Sequence, residues 1–205
     1  MRMKDDHMRN GQLKPGYNAQ ISTENQIIVN YTIHQDTNDI HTLKPHLENY
    51  KQLYGTYPSE LTADAGYGSE ENYKLLDDKG ITGFVKFNTF DKEQGTTKGK
   101  KSKRPFERDN LYYNTEGDFY VCPMGQRMEK SGESRTKTKS GYEQIYSRYT
   151  AKNCKGCPIR SLCFKGKGNR SVERNHSLEH YKHKARELLT SETGQIRRKQ
   201  RTADV

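Results

Sequence analysis

Hydrophobic and polar positions change period several times along the chain, and each change predicts an element. The stretch "GYNAQISTENQIIVNYTIH" (16–34) predicts two strands joined at Ser22, Thr23, Glu24 and Asn25, a cluster of turn-forming residues. The second strand, Gln26 to Ile33, is rich in β-branched residues and suits a central place in a sheet. In "DIHTLKPHLENYKQLYG" (39–55) the period becomes helical. Leu43, Leu47, Tyr50 and Tyr54 share one face, Gly55 offers a stop, and Pro45 fits only a first turn. "SELTADAGYGSEENYKLLDDKGITGFVKF" (59–87) predicts strand, helix and strand. The first strand ends at Asp64, Ser69 caps the helix, and Glu70 and Glu71 fill its first turn, where the helix dipole favours negative charge. Gly80 ends that helix.

From residue 91 the periodicity fades. "DKEQGTTKGKKSKRP" (91–105) is polar and basic, as a linker or loop would be. "NLYYNTEGDFYVCPMGQRM" predicts a Tyr-rich hairpin, "KSGESRTKTKSG" a basic loop, and "YEQIYSRYT" a strand. The tail from 177 is helical, with Leu178, Tyr181, Ala185 and Leu188 on one face. Ser191 caps a last helix bearing Arg197, Arg198, Lys199 and Arg201, a candidate DNA-contacting set. The pattern implies an α/β core over 1–90, a linker over 91–105, a cysteine-rich insertion over 106–170 and terminal helices over 171–205.

Composition narrows the options. Leu, Ile, Val and Phe make up only 32 of 205 residues while the net charge is +10, so the core must be modest. Fourteen tyrosines partly compensate, since each buries a ring and keeps its hydroxyl wet. The cation excess favours a polyanionic partner such as nucleic acid. No apolar run is long enough to span a membrane, and "MRMKDDHMRN" lacks the apolar centre of a secretory signal, which points to the cytoplasm.

In that setting four cysteines indicate reduced thiols or a metal site. Cys154 and Cys157 have the C-x2-C spacing of a zinc knuckle, Cys163 follows, and Cys122 could complete a closed four-thiolate Zn2+ site if the strands between fold back. Such a site would help stabilise an apolar-poor region. Ordinary thiols and an iron–sulfur cluster remain open alternatives. His176, His180 and His183 fit exposed positions on the helix beginning near 177.

Asp64, followed by Ala65-Gly66-Tyr67, is either a turn aspartate bonding its own backbone or a ligand at the carboxyl edge of an α/β strand. Here the sequence resembles the DDE-type transposases of bacterial insertion sequences, through "MRMKDDHMRNGQLKPGYNAQIST", "LTADAGYGSEENY", "FVKFNTF", "CKGCPIRSLC" and "ARELLTSETGQIRRKQR". The resemblance implies a ribonuclease-H-like fold over 1–90, here partial, with three catalytic acids holding Mg2+ or Mn2+. It also implies DNA partners (transposon ends and target), oligomeric assembly on DNA and a place at the nucleoid. Asp64 takes the part of the second acid. The first acid is expected upstream of "GYNAQ", and the third, a Glu, just after "RRKQRTADV", where the chain stops. Asp5 and Asp6 lie in a polar stretch unlike a catalytic strand, and Asp204 precedes the position of the Glu. The expectation is therefore a truncated fragment with one acid of three, inactive alone in strand transfer. The alternatives are a basic zinc-containing nucleic-acid-binding module without catalysis, and a metal-dependent nuclease drawing on Asp36, Asp39 or Glu70.

Overall fold

The computed structural model describes Gly11, residues 15–95 and residues 106–204. Asp5, Asp6 and the 96–105 part of the expected linker lie outside these residues. Strands β1 (Asn18–Glu24) and β2 (Ile27–His34) are followed by helix α1 (Leu43–Tyr54), strand β3 (Glu60–Ala63), helix α2 (Glu70–Asp78), strand β4 (Thr82–Val85) and the short helix α3 (Phe90–Glu93). After residue 106 come β5 (Tyr113–Asn114), β6 (Phe119–Val121), β7 (Arg127–Lys137), β8 (Glu143–Ala151), helix α4 (Arg160–Cys163), β9 (Ser171–Arg174), and helices α5 (His176–Thr190) and α6 (Glu192–Asp204). The mixture is α/β, as the changes of period imply. It divides into two compact units, residues 1–97 with 180–205, and residues 98–179.

In the first unit β1 and β2 form an antiparallel hairpin with Glu24 opposite Ile27. The turn is therefore Asn25–Gln26, not the earlier Ser22–Asn25 cluster. Both turn residues have positive φ, 50° and 67°, which a two-residue type I′ turn requires. The register slip between Ser22 and Thr23 takes up the difference as a bulge. Contrary to the expected central position, β2 pairs only with β1 among the described residues. Ile27, Ile28, Tyr31 and Ile33 are exposed there.

Helix α1 lies against β2, burying Leu43 and Leu47, and ends at Gly55 in the left-handed conformation. Its His46 is buried among polar partners. Ser22 Oγ lies 2.6 Å from Nε2 and Thr32 Oγ1 2.7 Å from Nδ1, while the Asn30 side-chain amide donates to the His46 carbonyl. Burial, and then the neighbouring His34, push the His46 pKa down to about 4, so the ring is neutral.

Strands β3 and β4 run parallel, with Ala63 opposite Val85, and α2 makes the crossover between them. The Ser69 hydroxyl accepts from the Asn72 N–H at 3.2 Å, the expected cap. Leu76, Phe84, Val85, Phe87 and Phe90 are buried, and the Tyr73 hydroxyl donates to the Val85 carbonyl. Helix α6 packs on β3 and β4. Its close start after α5 depends on Gly194, where a Cβ would stand 2.0 Å from the Leu188 carbonyl oxygen.

The second unit is a five-stranded antiparallel sheet in the order β5-β6-β7-β8-β9. Tyr120, Met128, Tyr149, Ala151 and Val172 form its core, with Cys122 and Cys154 packed against them. The Asp118 carboxylate accepts hydroxyl hydrogen bonds from Tyr113 and Tyr149. Burial opposes its charge, but these two donors hold its pKa below the usual carboxylate range. Two elements differ from expectation. The "KSGESRTKTKSG" segment is largely strand, since β7 pairs with β8 from Met128 to Lys137, and Ser171–Arg174 is strand β9. Polar residues on both faces hide the two-residue period of β7, so the main-chain ladder alone defines it.

Candidate functional site

The parallel pair β3–β4 presents its carboxyl edge at Asp64, the first residue after β3. Asp64 is extended and caps the 3₁₀ turn Ala65–Tyr67. Its Oδ1 accepts from the Gly66 N–H at 2.9 Å, the local job of a turn aspartate. Its other oxygen, Oδ2, accepts from Arg201 Nη2 at 3.2 Å. The side chain stays about half exposed, so the charge is screened and the pair adds little to stability.

A second carboxylate approaches the same place. Asp39 belongs to the 3₁₀ turn Asp39–His41, which packs on the Ala65–Tyr67 turn. Its Oδ1 accepts from the Asn18 side-chain amide at 2.7 Å and from that of Gln20 at 3.3 Å. Its Oδ2 faces Gly66. A Cβ at Gly66 would stand 2.9 Å from Asp39 Oδ2 and 3.1 Å from Asp64 Oδ1, so the missing side chain is what lets the two carboxylates converge. Tyr67 lines the same spot. Burial first, then the Asp39 and Asp64 charges, push its pKa up to about 12, so the phenol stays protonated.

Two hard oxygen donors facing one gap suit Mg2+ or Mn2+ better than a soft ion. Among the described residues no group of three or more His, Cys, Asp or Glu is gathered tightly enough to hold a metal. Of the other acids considered, Asp36 is exposed and Glu70 is buried in the first turn of α2.

The arginines of α6 turn inward. Arg197 reaches Glu60 with Nη2 at 2.7 Å, Arg201 reaches Asp64, and the Arg198 guanidinium lies 5.2 Å over the Phe90 ring. Of the four expected DNA contacts only Lys199 stands fully exposed. The sequence signal missed here is the pair of acids Glu60 and Asp64, matched by arginines at the same spacing on α6.

Cys122, Cys154, Cys157 and Cys163 do come together, lining one cavity of about 20 Å³. All four are free thiols, and the zinc expectation is not supported, because no three of them close on a common centre. Instead Arg170 enters the cavity. Its Nη1 donates to Cys163 Sγ at 2.8 Å, its backbone N–H donates to Cys154 Sγ, and its Nη2 donates to the Phe106 carbonyl. Cys122 Sγ accepts from the Gln126 N–H. The expected helix positions of His176, His180 and His183 hold. His176 is tied to the Tyr149 hydroxyl at 2.7 Å, and burial lowers its pKa.

Residues 121–205 match the model of the family described as "Transposase DDE domain". The matched span runs from the end of β6 through α6. It contains the four cysteines and the α6 cations, while Asp39 and Asp64 lie before it. No curated protein and no solved structure matches the chain. No described helix is long and apolar enough to cross a membrane.

Proposed function

We propose that this chain is part of a DDE-type transposase catalytic domain with a ribonuclease-H-like core, acting on transposon ends and target DNA. Asp64 serves in it as a ligand for Mg2+ or Mn2+. The observation that supports this most is the convergence of Asp39 and Asp64 over Gly66, at the carboxyl edge of a parallel strand pair. When bound, the ion supplies electrostatic stabilisation of attacking and leaving oxygens in phosphoryl transfer.

The rest is work done by the chain's own residues. Asn18 and Gln20 orient Asp39 through its Oδ1, leaving Oδ2 directed at the gap. The Gly66 N–H fixes the rotamer of Asp64. Arg201 provides the counter-charge of Asp64 when no ion is present, so ion and guanidinium compete for one carboxylate. We infer that the chain alone does not catalyse strand transfer, since the resemblance assigns it only Asp64 of the three catalytic acids. Metal-dependent nicking of plasmid by the purified chain, lost in Asp64→Ala, would refute that last point.

The metal assignment is tested by Mn2+ titration followed by electron paramagnetic resonance. Asp64→Asn is expected to weaken binding at least about tenfold, since one of two charged oxygen ligands is lost. Equal binding by wild type and variant would remove Asp64 from the site.

A further inference from the structure

The second unit contains a long stretch without negative charge. Between Glu143 and Glu173 the chain carries seven cations, Arg148, Lys152, Lys155, Arg160, Lys165, Lys167 and Arg170, and no acid. Four of the seven are used internally. Arg148 pairs with Glu173 and Lys152 with Glu129. Arg160 donates to the Cys154 and Gly166 carbonyls, and Arg170 to Cys163 Sγ and the Phe106 carbonyl. Lys155, Lys165 and Lys167 are exposed and form no ion pair with another described residue.

These three lysines project from an ordered loop. The Asn169 side chain bridges the Cys154 N–H and the Lys152 carbonyl, and α4 is closed by Cys163 N–H to the Ile159 carbonyl. The cysteine cavity packs beneath on the apolar core. A cation held on a fixed backbone loses less entropy on binding than one on a disordered tail. Nothing in the loop would repel a polyanion. Exposed ammonium groups without a planar fork or a pocket engage phosphates as point charges and do not read base edges.

We propose that the acid-free cysteine loop is a phosphate-backbone binding surface for duplex DNA, with Lys155, Lys165 and Lys167 as its contact cations. This rests on the reading of the chain as part of a DNA-acting transposase domain. It shifts the DNA contact from the inward-turned arginines of α6 to the loop between β8 and β9.

The test is the salt dependence of binding between the full chain and a short fluorescent duplex, measured by anisotropy over about 50 to 200 mM KCl without divalent ions. Each phosphate contact contributes roughly 0.9 to the slope of log K against log salt, so the variant K155Q/K165Q/K167Q should lose about 2 to 3 from that slope. It should bind at least about tenfold more weakly at the lower salt, equally for unrelated duplex sequences. Lys74→Gln, which removes a lysine already paired with Asp78, serves as control and should leave the slope unchanged. Unaltered circular dichroism in the triple variant ties the loss to the surface rather than to folding.

An unchanged slope in the triple variant, an equal loss in Lys74→Gln, or no binding by the wild-type chain would each overturn the proposal. Equal binding to poly-glutamate would do so too, in favour of an acidic protein partner. The Mn2+ titration needs no DNA, so the carboxylate assignment and the loop assignment can fail separately.

Discussion

Helix α6 carries four cations in five residues, and the segment between Glu143 and Glu173 carries seven. In the first unit the α6 arginines bind Glu60 and Asp64 or lie over Phe90, on the helix that packs on β3 and β4. In the second unit the arginines of the loop turn inward while three lysines stay free of described partners. The difference follows from what surrounds each cluster. Acids stand at the ends of β3, so guanidinium groups find bidentate or charge-assisted partners there. The loop has no acid, so its lysines remain hydrated point charges. The position of counter-acids, and not local charge density, thus decides which cations stay free of ion pairs among the described residues.

That contrast can be broken from either side. The largest expected effect comes from pH, because the inward-turned polar groups of the first unit include a neutral histidine. The folded-state pKa of His46, about 4, lies below its unfolded value near 6.5. The unfolded chain therefore takes up a proton first, and stability that is complete above about pH 6.5 falls as pH drops toward 4, by up to about 3 kcal/mol. Urea denaturation at a series of pH values should show this loss for the first unit, and His46→Gln should flatten it.

Next in size is Gly194→Ala. The added Cβ has no room against the Leu188 carbonyl, so α6 must shift from its seat, at a cost of about 1–3 kcal/mol. A lower melting temperature with DNA affinity retained would separate the helix from the loop. Arg197→Gln and Arg201→Gln should each change stability by less than about 1 kcal/mol, since both ion pairs are partly exposed. Arg201→Gln should tighten Mn2+ binding, because it removes the competing cation from Asp64, and should leave the DNA salt slope unaltered. A slope reduced as much as in the loop variant would make α6 a DNA-contacting helix after all.

Much of the first unit is legible from sequence because its signals are local. Ser69, Gly80 and the apolar spacing of α2 define the crossover, and Gly55 marks the end of α1. Strand β7 escapes the same reading because both its faces are polar and its partner strand alone defines it. The candidate site is only half legible. Asp64 is marked by its place between a strand and a glycine turn. Its companion Asp39 lies beyond α1 in sequence and is brought in by Asn18, Gln20 and the bare backbone of Gly66. The partners of Arg197 and Arg201 lie 137 residues away, so nothing near them in sequence shows that they are occupied.

In the proposed site Asp39 and Asp64 act together on one divalent ion. A double-mutant cycle on Mn2+ affinity, with Asp39→Asn, Asp64→Asn and both together, tests it most directly. If the two carboxylates share the ion, each single substitution weakens binding at least about tenfold and the double variant loses clearly less than the two losses combined. Independent, additive losses, or an Asp39→Asn variant that binds as the wild type does, would contradict a shared site.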